Sequence, residues 1–280
     1  MELGLFGINM GANARPDQLA ETARAAEDAG FDSVWAGEHV ILPDPQVPPS
    51  PMAPGDPVLD PLLALGWAAA YTSRLRLATG IIILPQRNPV VLAKQLASLD
   101  VLTGGRVIVG IGVGYLEPEF RAVGANFARR GAVTDEYLDA MSHLWYDDQP
   151  EYHGEFAAFG GVDAHPRPAQ RRLPIIVGGH SPSAFRRAVR AGDGWYGFAL
   201  DEGNVAEALD GLRAAAEAEP RPAGLEPLEI TVTPRGELTP DRVAAFAELG
   251  VHRLVPRSRP GAGADEVLAT ILDARRAAGE

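Results

Sequence analysis

Glu38 and His39 stand side by side where an apolar run, "SVWAGEHVILP" (33–43), turns polar. A carboxyl group beside an imidazole could move a proton, because an imidazole exchanges one readily near neutral pH. The bland alternative is a local hydrogen bond for the histidine and a neighbouring arginine for the glutamate. Three other stretches could carry chemistry. In "RLATGIIILPQRNP" (76–89), Gly80 interrupts a run of strand formers, which marks a bulge or a close backbone approach. On spacing alone a kink for curvature explains it. In "VIVGIGVGYLEPEF" (107–120), a strand opens into Gly110, Gly112 and Gly114. It lacks the following glycine and the immediate helix of a dinucleotide fingerprint, so a Rossmann reading is rejected. The glycines instead let backbone approach a flat ring or a phosphate, or make a plain tight turn. In "PIIVGGHSPSAFRRAV" (174–189), a strand ends at Gly178-Gly179, and Ser181-Pro182 then starts a helix. N–H groups exposed after glycines at a helix start form an anion cradle, although an ordinary capped helix reads the same way.

What is missing narrows the chemistry further. There is no cysteine, so no thiol nucleophile and no zinc-thiolate site. Lys94 is the only lysine, and it falls mid-helix, which leaves Schiff-base chemistry little room. The six histidines are scattered, with no HxH after the first strand, so no catalytic metal is expected. GxSxG and Walker A sequences are absent. Without a strong nucleophile or a metal, the reactivity must be borrowed from a cofactor.

These stretches share one positioning grammar. "AEDAGFDSVWA", "AVRAGDGWYGF" and "AELGVHRLVP" each run from an Ala-rich helix through Gly30, Gly192 or Gly250 into a short apolar strand. Repeated through the chain, this predicts alternating βα units around a parallel sheet. Strands are expected near 3–9, 33–37, 75–83, 106–111, 174–178, 194–199, 228–233 and 252–256. Helices are expected near 16–29, 59–73, 89–103, 131–146, 182–191, 204–217, 240–249 and 264–277. Eight such units in 280 residues predict a (β/α)8 barrel rather than an open doubly wound sheet, as a single domain over 1–280. Residues 41–58, rich in proline, must form a long loop after strand 2, and 147–172 a small hairpin inserted before strand 5. All four stretches then fall at strand C-termini, where a barrel carries its active site.

A formal net charge of −12 argues against nucleic acid. No apolar run is long enough for a membrane span, and the first ten residues lack signal-peptide character, so a cytoplasmic protein acting on a small molecule is expected.

Together, "GFDSVWAGEHV", "LRLATGIIILPQRNPVVLAKQLASLDVLTGGRVIVGIGVGY" and "PIIVGGHSPSAFRRAVRAGDGWYGF" resemble the bacterial-luciferase-like oxidoreductases, particularly the branch using the deazaflavin coenzyme F420. The resemblance covers most of residues 1–200. It implies a TIM barrel that binds F420 or FMN at the strand C-termini, commonly as a homodimer. By that resemblance His39 contacts the ring as its proton donor or acceptor, and Glu38, its orienting neighbour, is also expected among the cofactor-binding residues. Gly80-Ile81 matches a cis peptide whose bulge, after Thr79, backs the ring. Val113 and Gly114 run beside the cofactor, and Gly178, Gly179, His180 and Ser181 match its phosphate cradle. Arg87, Arg129 and Arg130 are candidates for the acidic cofactor tail, and Trp35 and Tyr115 for walls of the substrate pocket. The sugar-phosphate dehydrogenase branch carries a catalytic glutamate just after the strand-4 glycines; here that residue is Tyr115, and neither Glu117 nor Glu119 occupies the matching position. The expected function is F420-dependent hydride transfer to or from a small organic substrate. Alternatives are an FMN-dependent monooxygenase served by a separate flavin reductase, a non-catalytic flavin-binding barrel, and a cofactor-free isomerase of a phosphorylated substrate.

Overall fold

The computed structural model describes residues 1–259 and 261–279. The chain runs β1 (Glu2–Phe6), α1 (Pro16–Asp28), β2 (Ser33–Ala36), α2 (Pro61–Ala69), β3 (Arg76–Thr79), β4 (Ile82–Ile83), α3 (Pro89–Thr103) and β5 (Val107–Gly112). It continues through α4 (Glu117–Ala122), α5 (Arg130–Tyr146), β6 (Tyr152–His153), β7 (Ala158–Phe159), β8 (Ile175–Gly178), α6 (Pro182–Ala191), β9 (Gly194–Leu200), α7 (Glu202–Ala218), β10 (Glu229–Pro234), α8 (Pro240–Glu248), β11 (Arg253–Leu254) and α9 (Ala264–Ala277).

Strand order β3-β2-β1-β11-β10-β9-β8-β5-β4, closed by pairing of β3 with β5, makes a parallel barrel in which β3 and β4 are two pieces of one wall. Alternation along the strands divides the core in two. Trp35, Ala78, Ile108, Ile176, Tyr196 and Val255 fill the barrel interior, with Phe6 and Ile81 packed against them. Their chain neighbours Val34, Leu77, Val109 and Val177 face outward into the layer under the helices. Both faces are buried, which is why these strands read as nearly continuous apolar runs.

Helix starts follow local chemistry. Asp60, Asn88, Ser181 and Thr239 each accept from backbone N–H groups one turn in, and proline follows each at the first helical position. The Asp60 cap starts α2 at Pro61 and the helix stops at Ala69, so α2 is shorter at both ends than the expected 59–73. The expected strand 75–83 is broken at Gly80-Ile81. The hairpin of β6 and β7 stands within 147–172 as expected, and no helix or strand interrupts 41–58. The short helix α4 was not foreseen. No described helix is long and apolar enough to cross a membrane.

Candidate active site

The site begins with the break in the β3–β4 wall. The Gly80–Ile81 peptide is cis, as the resemblance implied. The bulge presses its neighbour closely: a Cβ on Gly110 would collide with the Thr79 carbonyl oxygen, so only glycine fits there. Thr79 Oγ1 also donates to the Gly110 carbonyl at 2.7 Å, locking the two strands. Beyond the bulge, the Ile81 side chain lies against the backbone of Gly112 and Gly178 and over the interior cluster. The result is an apolar floor, flanked by glycine backbone, at the C-terminal mouth.

Past β5 the chain turns back at Gly114, whose φ of 72° and whose contact with Ile83 and Phe120 exclude a side chain. This turn carries α4 over the end of β2. Glu119, fully buried, reaches the residues after Glu38: its Oε1 accepts the Val40 N–H at 2.6 Å, and its Oε2 lies 3.4 Å from His39 Nδ1. The His39 side chain is only 8% exposed; it meets Glu119 through Nδ1, and Nε2 makes no hydrogen bond among the described residues. Tyr115, half exposed, stands edge-on to the imidazole with ring centroids 6.1 Å apart. Burial, reinforced by the Glu119 carboxylate, pushes the Tyr115 phenol above its ordinary pKa, so it stays neutral.

Glu38 has a different role from the one expected. Its carboxylate is buried, accepts the Ile83 N–H at 2.6 Å and is gripped by Arg87, which also pairs with Asp60. Burial pushes the Glu38 carboxyl up, against the pull of Arg87 and the Ile83 N–H. It therefore ties the end of β2 to the bulge and is not free to meet a cofactor.

Across the mouth, Gly178 is half-buried while Gly179, His180 and Ser181 are exposed at the start of α6. The Gly179 carbonyl accepts from Trp195 Nε1 at 2.8 Å, and Ser181 Oγ accepts the Ala184 N–H. His180 Nε2 accepts the Phe198 N–H at 3.1 Å, which requires that nitrogen to be unprotonated; burial correspondingly pulls the His180 pKa down.

Several expectations need correction. Trp35 is not a pocket wall: it is wholly buried beneath Gly80, stacks near Tyr196 at 5.0 Å, and donates to Ser33. Thr79 is buried and spent on Gly110, so it supports the bulge from below. Arg87 is consumed by Glu38 and Asp60, Arg129 pairs with Glu155, and Arg130 donates to the Gly114 and Phe127 carbonyls. Each of the three already has partners within the protein. His39, Ile81, Val113, Gly114 and Tyr115 do converge with the 178–181 turn on one end of the barrel. Glu119, set aside as out of register, is the residue that sequence reasoning missed. The only signal for it was an acidic residue in the short segment after the strand-4 glycines.

At its C-terminal mouth the closed parallel barrel thus brings together an apolar floor, a buried imidazole–carboxylate pair and a glycine-rich helix start. The chain belongs to the luciferase-like monooxygenase family, whose model matches residues 3–279. It is 34% identical over 214 residues to an F420-dependent glucose-6-phosphate dehydrogenase of Kineococcus radiotolerans, covering 73% of this chain and 60% of that one. Among solved structures it superposes on an F420-dependent secondary alcohol dehydrogenase captured with an F420–acetone adduct, with a TM-score of 0.79 and 17% identity over 99% of this chain and 97% of that one. It also superposes on the monooxygenase RslO1 of Streptomyces bottropensis, with a TM-score of 0.78 and 24% identity over 99% and 98%. At these identities the structural likeness establishes the shared fold.

Proposed function

We propose that this protein is an F420-dependent oxidoreductase moving a hydride between the deazaflavin and a small, largely apolar organic substrate. The observation that carries the reading is the Ile81 floor with His39 at the same end of the barrel: an apolar platform and one imidazole whose Nε2 makes no hydrogen bond among the described residues. The glycine backbone at 112 and 178, which a Cβ would fill against Ile81, suits the close approach of a planar ring. Ile81, Val113 and Gly114 would hold that ring, and the 178–181 turn at the start of α6 would take its phosphate. Bound there, the deazaflavin supplies the hydride donor or acceptor. His39 handles the accompanying proton, and Tyr115 with the 41–58 loop walls the substrate side and excludes water. The sugar-phosphate reaction of the Kineococcus relative is not carried over, because Tyr115 replaces the glutamate of that branch. F420 is preferred to FMN because that relative is named for it; the family's name keeps an FMN-dependent monooxygenase as the competing reading.

A fluorescence titration with F420 and, separately, FMN tests the assignment. Tight F420 and weak FMN binding is expected; the reverse preference moves the protein to the monooxygenase reading, and binding of neither removes both. In the F420-loaded enzyme, His39→Ala should lower turnover by about 100-fold or more with cofactor binding retained. Undiminished turnover would remove His39 from proton transfer.

We further propose a homodimer through α2 and α3. These helices pack together yet expose Leu63, Trp67, Val91 and Leu102, an apolar face unusual for a surface helix pair. Sedimentation at micromolar concentration should give twice the chain mass; a monomer would refute it.

A further inference from the structure

We propose that Glu119 is the positioning residue of this site, fixing His39 as the Nδ1–H tautomer so that Nε2 is the atom at which a proton is held or moved. The inference rests on the reading above that His39 handles the proton.

The argument starts from the cost of burying Glu119. A carboxylate removed entirely from water needs donors or a counter-charge. At Glu38 an arginine meets that need. At Glu119 no lysine or arginine is within ion-pair reach among the described residues; its partners are the Val40 N–H and His39 Nδ1. An ionised carboxylate only accepts hydrogen bonds, so the proton of a neutral imidazole must sit on Nδ1 when the two meet. Nε2 is then left with a bare lone pair, and it is the ring nitrogen with no hydrogen bond among the described residues. If Nε2 takes a proton, the positive charge forms beside a buried carboxylate, where the attraction is stronger than in water. If Nε2 releases it, the Nδ1–H bond persists and the ring does not turn. The bond to Val40 N–H adds a second constraint by clamping the backbone immediately after His39 to α4. Tyr115, the other titratable group at the imidazole, is neutral and meets it edge-on. The alternative is a protonated Glu119 donating to Nδ1, which would place the imidazole proton on Nε2 and reverse every consequence.

The two cases separate in the cofactor-free protein. With ¹⁵N-labelled histidine, long-range ¹H–¹⁵N correlation at neutral pH reads the tautomer of each ring, and His39→Asn identifies the relevant signals. The wild type should show Nδ1 protonated and Nε2 bare. Glu119→Gln should move the balance towards Nε2–H while F420 affinity stays within about threefold; in the loaded enzyme kcat should fall about 10- to 100-fold with KM nearly unchanged. A wild-type His39 protonated on Nε2, or a tautomer balance unmoved by Glu119→Gln, overturns the proposal. Should Glu119→Gln fail to fold, the wild-type spectrum decides alone. Because the tautomer is read without cofactor, failure of F420 binding would sink the functional reading while the positioning of the His39 proton by Glu119 is decided separately.

Discussion

The two ends of the barrel both bury charge, and they do it in opposite ways. At the N-terminal end, Arg253, 1% exposed at the start of β11, is shared by Glu2, Asp32 and Glu229, residues at or just before the starts of β1, β2 and β10. One cation meets three carboxylates, and Thr231 Oγ1 takes a further contact at 3.4 Å. The cluster ties four strands together at their base. At the C-terminal end, Glu38 is closed off in the same manner by Arg87, but among the described residues Glu119 has only an imidazole and one N–H. The lesson is one of completeness. A buried charge whose partners are all permanent ions holds the fold, whereas one whose only potential counter-ion can gain or lose a proton can take part in chemistry.

Arg253→Ala breaks the comparison most sharply. It would leave three carboxylates converging on an empty, nearly buried position and should cost about 3 kcal/mol, read as a lowered urea midpoint at unchanged slope. Because Arg253 lies at the far end of the barrel, F420 affinity of the folded fraction should not change. Glu119→Gln should show the converse, with the tautomer and turnover altered and the midpoint little moved. If Arg253→Ala instead left the midpoint in place, the basal cluster would be a solvated ring of charge with no role in holding the strands.

How much of this was legible beforehand differs between the two ends for physical reasons. The βα units announced themselves because each helix ends in glycine or a short turn before an apolar strand, a local pattern. Closure into a barrel followed from their number. His39 and the Gly80 bulge were legible because their residue types are out of place in a strand, and the resemblance sharpened both. Trp35 was misplaced because strands buried on both faces hide which side chains fill the interior and which reach the mouth. Glu119 was illegible because its partnership with His39 spans 80 residues. It exists only once the Gly114 turn has laid α4 over the end of β2, and no local pattern encodes that contact. The same holds for the three arginines: a sequence shows the cations but not the carboxylates that pair with Arg87 and Arg129 or the carbonyls that accept from Arg130.

Glu27 sharpens the comparison from the basal side with the smallest expected effect. At the end of α1 its carboxylate accepts the N–H groups of Ser73, Arg74 and Leu75, with the last two at 2.7 and 2.8 Å, clamping the chain as it enters β3. Burial alone would raise its pKa, but those three donors win and hold it at about 2, below the ordinary 4.5. The unfolded chain therefore takes up this proton first as the solution is acidified. The stabilisation is complete above about pH 4.5 and drains away as the pH falls towards 2. Because the group is partly solvated, the effect should be about 1 kcal/mol rather than the full linkage value. Glu27→Gln should accordingly lower stability by that amount at pH 7, and its deficit relative to wild type should shrink steadily below pH 4.5. A deficit that stayed constant from pH 7 to pH 3 would mean that the glutamine fails to reproduce the clamp's geometry and that the carboxylate's charge is not what stabilises it.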